Sequence, residues 1–177
     1  MELTQEQKGK IGETAVMLEL LKKGFNVINI NNSYPNYKNA DLICMNANNG
    51  KSVMIQVKTG TTHNILTGFT SELDGTIQKL EESIIGPWVF VYMPDDKMSN
   101  MEFYILTREE VIELIYSSNK WYATEYYRKL KKKYPVGVYV DWLEGGSSKA
   151  TKLHPEYKST LHQTSKDNWY KITELLE

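Results

Sequence analysis

The chain has 177 residues, enough for one domain with an appendage, and its 41% hydrophobic and 24% charged composition supports a full core and excludes global disorder. A net charge of −1 excludes an overall basic character, so any contact with a polyanion must come from local patches. One cysteine, Cys44, excludes a disulfide framework within the chain; there is no signal pattern at the start and no apolar run near the roughly 20 residues of a membrane helix, so a cytoplasmic protein without a membrane partner is expected.

Residues 4 to 23 read as a helix. Thr4 with Gln7 makes a capping box, Ile11, Ala15, Leu18 and Leu21 form one apolar stripe, and Val16, Met17 and Leu20 widen it, so the helix is expected to be substantially buried. Glu13 falls between Met17 and Leu20 on the helical wheel, aimed at a polar pocket or lying at an edge; Gly9 and Gly12 permit a close approach of backbone or ligand, or fray the first turn. A strand follows at 25–30, then a turn-rich loop at 31–38.

Residues 39 to 60 read as a hairpin, with Asn49-Gly50 as a two-residue turn of type I′. In that register paired residue numbers sum to 99, so Asp41 faces Lys58 and Ile43 faces Gln56. Asp41, Gln56 and Lys58 share one face; Leu42, Cys44, Val53, Ile55 and Val57 take the other. The plain alternative for Asp41 and Lys58 is a cross-strand ion pair, worth about 0–1 kcal/mol if exposed.

Further on, Leu73, Ile77, Leu80 and Ile84 have helical spacing over 70–84, ended by Gly86-Pro87. Residues 88–93 form a continuous apolar run expected to be a central strand buried on both faces, and 101–106 are another strand. Thr107 with Glu110 caps a helix running to about Ser117. Residues 121–133 read as helical and carry Arg128, Lys129, Lys131, Lys132 and Lys133; 136–142 read as a strand, 145–152 as a loop and 167–176 as a terminal helix. The expected division is a core at 1–120 and an aromatic-rich extension at 121–177 packed on it, in an α/β fold with a mixed, partly antiparallel sheet flanked by helices.

The hairpin face suits a hard divalent cation, which takes oxygen ligands: the Asp41 carboxylate, the Gln56 amide oxygen, the Val57 backbone carbonyl, and Glu13 if the first helix packs over the hairpin. Lys58 suits contact with a phosphate, charge stabilisation on a phosphorane, or orientation of a water. His63, His154 and His162 lack zinc-ligand spacing, and neither a serine-hydrolase elbow nor a glycine-rich phosphate loop is present.

Asp41 followed by Gln56-Val57-Lys58, after a helix bearing Glu13 in Gly-Glu-Thr-Ala, resembles the PD-(D/E)xK nuclease superfamily, which includes type II restriction endonucleases and Holliday-junction resolvases. The resemblance spans residues 4 to 95 and implies a restriction-endonuclease-like core in the order α-β-β-β-α-β. It implies a Mg²⁺- or Mn²⁺-dependent endonuclease acting on DNA, with Asp41, Gln56, Lys58 and Glu13 catalytic and Asp41, Glu13, Gln56 and the Val57 carbonyl around the metal. Two positions depart from the pattern: Ala40 stands in place of the motif proline, and Gln56 in place of a carboxylate, which removes a negative charge beside the metal. His63, Arg128, Lys131 and Lys132 are candidate nucleic-acid contacts, and cutting both strands of a duplex commonly calls for a homodimer. The alternatives are a nuclease fold that has lost catalysis and binds nucleic acid or protein, in defence or mobile-element function, and a protein-binding immunity component.

Overall fold

The computed structural model describes residues 3–32, 37–94, 98–126, 132–148 and 157–177. Helix α1 (Gln5–Lys22) starts at the expected capping box, where Gln7 N–H donates to Thr4 Oγ1 (3.2 Å) and Thr4 N–H donates to Gln7 Oε1 (2.8 Å). Its buried stripe differs from the expected one. Gly12, Val16 and Leu20 face the core at i, i+4 spacing, whereas Leu18 and Leu21 remain 52% and 48% exposed. The reason lies at Gly12: a Cβ there would overlap Thr59 Oγ1, so the helix backbone rests directly on a strand along this line and only a narrow stripe is covered.

Strands β1 (Asn26–Asn29), β2 (Leu42–Met45) and β3 (Ser52–Gly60) form an antiparallel meander. β5 (Trp88–Tyr92) lies parallel to β3, and β6 (Glu102–Leu106) lies antiparallel to β5, giving one mixed sheet in the order β1-β2-β3-β5-β6. The mixed α/β class read from the sequence is the one observed.

The hairpin register is corrected. Leu42 pairs with Ile55 and Cys44 with Val53, so paired numbers sum to 97, and continued outward this register sets Asp41 opposite Gln56 rather than Lys58. The turn spans residues 47–50 instead of two. Asn49 does not adopt a positive φ, which type I′ requires, and only Gly50 does (+75°). Asn46 and Asn49 accept from the backbone N–H of Asn48 (3.0 Å) and Lys51 (2.9 Å), satisfying the wider loop locally. A shift of two residues leaves every side chain on its expected face.

The second correction concerns residues 64–84. Asn64–Ser71 is a strand, β4, paired antiparallel with β7 (Tyr134–Tyr139), and the helix shrinks to the single turn α2 (Leu80–Ser83). Ile65, Thr67 and Ser71 are buried in alternation, a period of two. Asp74 then accepts from Thr76 N–H (3.0 Å) and Gly75 turns the chain, which stops a helix from starting at 70.

The long helix α3 (Arg108–Trp121) begins at the Thr107–Glu110 capping box and continues past Ser117; residues 122–126 form a π turn. Short helices α4 (Val140–Leu143) and α5 (Tyr170–Thr173) and a two-residue pair, β8 (Ser147–Ser148) with β9 (Tyr157–Lys158), complete the fold; the expected strand thus ends at Tyr139 and the expected terminal helix is one turn. Two cores sandwich the sheet. On one face Val16, Leu20, Leu42, Ile55, Val89 and Ile172 pack together, and on the other Trp88, Phe90, Leu114, Val138 and Trp142. β5 is buried on both faces, as its apolar run requires. Cys44 lies inside the first core, where burial pushes its thiol up to about 11. Among the described residues no helix is long and apolar enough to cross a membrane.

Candidate functional site

Asp41 sits one residue before β2, held by its own backbone: its N–H donates to Ile55 O (2.9 Å) and its carbonyl accepts from Ile30 N–H (2.8 Å). β2 stops at Leu42 while β3 runs on to Gly60, so the edge of β3 beyond Ile55 is left without a ladder partner on this side. The Asp41 carboxylate takes over that edge. Its Oδ2 accepts from Val57 N–H (2.8 Å) and from Gln56 Nε2, and its Oδ1 accepts from Asn31 Nδ2 (3.0 Å). A strand residue's N–H and C=O point the same way, so the Val57 carbonyl faces the same place; it lies 3.4 Å from Gln56 Nε2. Asp41 and Gln56 are both buried, at 8% and 6% exposure.

Glu13 reaches this group from α1, because the helix lies against β3 at Gly12. Its Oε2 accepts from Asn29 Nδ2 (2.6 Å), and Asn29 Oδ1 accepts from Asn31 N–H (2.9 Å). Glu13, Asn29, Asn31, Asp41, Gln56 and Val57 thus form one connected polar chain. Burial raises the Glu13 pKa above the ordinary carboxylate value; the hydrogen bond from Asn29 opposes that and the charge of Asp41 adds to it.

Lys58, on the same face of β3 as Gln56, has its pKa lowered by burial, against the pull of the Asp41 and Glu13 charges. Its Nζ lies 5.3 Å from the centre of the Trp88 ring, a cation–π contact, and near Gly68 of β4. Phe69 stacks on Trp88, with 6.0 Å between ring centres.

Glu13, Asp41, Gln56 and Lys58 line one open cleft of about 870 Å³. The cleft also holds Asn29, Asn31, Tyr37, Lys38, Glu6 and Lys10, which the sequence reading did not single out. The asparagine-rich run Asn26 to Asn32 was the available signal for the first two. Three acids (Glu6, Glu13, Asp41) and three lysines (Lys10, Lys38, Lys58) share the cleft, though Lys10 is paired with Glu6 at 2.7 Å. Among the described residues no group of three or more His, Cys, Asp or Glu side chains converges on one point.

The remaining candidates lie elsewhere. His63 is exposed on the bend after β3, its ring 5.1 Å from that of Tyr92, and does not line the cleft. Lys132 is exposed just before β7 and is likewise outside the cleft. Arg128, Lys131 and His154 lie outside the described residues.

No protein-family model matches the chain, and no curated protein sequence matches it. A solved structure that aligns with it, that of the bacterial homing endonuclease I-Ssp6803I, is 13% identical, with 99% of this chain and 95% of that one covered and a TM-score of 0.49.

Proposed function

We propose that this protein is a metal-dependent phosphodiester hydrolase, an endonuclease acting on DNA, with Asp41, Glu13, Gln56 and Lys58 as its catalytic group. The observation that carries this reading is their convergence, from a helix, a strand entry and one strand, on a single open cleft. An isolated exposed ion pair between Asp41 and Lys58 is a poor account of the same residues, because Asp41 is buried and opposite Gln56.

The donors fit a hard divalent cation. Asp41, Glu13 and the Val57 carbonyl are oxygen donors carrying two negative charges, and Gln56 adds its amide oxygen when that group is turned. Such a cation supplies charge neutralisation at a scissile phosphate and a more acidic bound water. The chain's own residues do the rest. Asn29 and Asn31 hold the two carboxylates in place, Lys58 offers its ammonium to the charge that builds on phosphorus, and the Trp88 ring and Gly68 fix the direction of that ammonium. Lys10 and Lys38 at the cleft offer contacts to the flanking phosphates.

Purified protein with Mg²⁺ or Mn²⁺ is expected to cut duplex, branched or single-stranded DNA, and Lys58→Ala to reduce cutting by at least about 10²-fold while keeping the circular dichroism spectrum of the folded wild type. Cutting by the variant at the wild-type rate rejects the assignment. A second reading, a nuclease-like module that binds without cutting, is favoured by one observation: both oxygens of Asp41 are engaged by the chain's own donors. DNA binding at low salt with no cutting under either metal would select it.

A further inference from the structure

We infer that the Gln56 side-chain amide is a built-in counter-ligand: its NH₂ group contacts both Asp41 Oδ2 and the Val57 carbonyl, two of the oxygens that would hold a divalent cation, and frees them for a cation only when the amide turns away. This rests on the reading of the cleft as a metal-dependent site.

The orientation of the amide follows from hydrogen-bond chemistry. An ionised carboxylate only accepts, so the contact of Gln56 with Asp41 Oδ2 requires the amide nitrogen, not its oxygen, to face Asp41. The same nitrogen lies 3.4 Å from the Val57 carbonyl oxygen. Two members of the oxygen set therefore share one amide group, whose hydrogens carry the positive end of its dipole. With a carboxylate at position 56 no such arrangement exists: a third acid would face Asp41 with nothing between them but a cation or a shared proton.

The rest of the polar chain is built the same way. Asn31 Nδ2 donates to Asp41 Oδ1 and Asn29 Nδ2 donates to Glu13 Oε2, so three side-chain amides satisfy two acids. The acids are thereby held in place without a metal. Gln56 is the member of the three that touches both Asp41 and the Val57 carbonyl, and it is buried, so its turning breaks a bond to a buried carboxylate. The site trades metal affinity for stability in the metal-free state.

The test compares wild type with Gln56→Glu in the full chain. Thermal unfolding in EDTA is expected to show a lower Tm for the variant, and calorimetric titration with Mn²⁺ a Kd at least about tenfold tighter than wild type, since added ligand charge raises the affinity of such sites. An unchanged metal-free Tm, or an Mn²⁺ affinity equal to that of wild type, overturns the inference. Should the variant fail to fold, the wild type decides: Gln56 side-chain NH₂ resonances protected from solvent exchange without metal, and shifted by Mg²⁺, support it, whereas freely exchanging resonances without metal overturn it. No readout here involves DNA cutting, so an absence of nuclease activity leaves this outcome separately readable.

Discussion

Glu13 and Asp41 share one polar chain yet are held differently. Asp41 is braced by three donors, one of them backbone, while Glu13 is held by side-chain amides alone and has a raised pKa caused first by burial. A carboxyl whose folded pKa lies above the unfolded value binds its proton more tightly in the native state. Between the unfolded value of 4.5 and the folded one, stability therefore falls as pH rises, and the cost is fully present above the folded pKa. Glu13→Gln keeps an acceptor for Asn29 and removes this cost. The variant is expected to melt above wild type at pH 7, with the difference shrinking toward pH 4 in a series of melting curves. Lys58 works in the opposite direction: with its folded pKa below 10.5, its contribution improves as pH rises through the window between the two values. Glu13 and Lys58 were readable as candidates from motif spacing. Their pKa shifts were not, because each depends on burial by segments far away in the chain.

Among the elements, α1 and β3 decide whether a site exists. The helix brings Glu13 to the hairpin only because Gly12 lets its backbone lie on Thr59. Gly12→Ala gains helix propensity but forces the helix off β3, and the expected net effect is a destabilisation of about 1–3 kcal/mol by overpacking, measured by denaturant unfolding. A larger effect on activity than on stability is also expected, since a small shift of α1 moves Glu13 away from Asp41. The capping boxes of α1 and α3 were legible because they are local: four consecutive residues specify them. β4 was not. Its pairing with β7 shifts register between Leu66 and Thr70, a feature no local pattern marks, and the helical spacing of Leu73, Ile77, Leu80 and Ile84 competed with it. Missing β4 also meant missing Gly68, which lies beside the Lys58 ammonium.

At the scale of the whole molecule, the last residues of the chain belong to the core beneath the hairpin. Ile172 and Leu176 are fully buried in the same cluster as Val16, Leu20, Leu42 and Ile55, and the Leu176 carbonyl accepts from Asn46 (3.0 Å) and Asn49 (2.8 Å) of the hairpin turn. Ile172→Ala and Leu176→Ala are each expected to cost about 2–5 kcal/mol, with tryptophan fluorescence and circular dichroism reporting one coincident transition. Separate transitions by the two probes would show instead that the terminal segment unfolds independently of the sheet. β7 binds residues 134–139 to β4 and so fastens a distant segment to the crossover between β3 and β5.

The α/β class, the capped helix starts, the buried central strand and the face on which Asp41, Gln56 and Lys58 lie were all legible in the order of the residues. These depend on periodicity and local capping, and a face depends only on parity, so it survived a turn two residues longer than expected. Which residue stands opposite Asp41, which stripe of α1 is buried, and the hold of the Asn29, Asn31 and Gln56 amides on the two acids emerge from the packed fold. Those features are set by the length of a loop, the closeness of a helix to a strand and the end of one strand beside another. Each is a contact between segments, and no pattern within one segment encodes it.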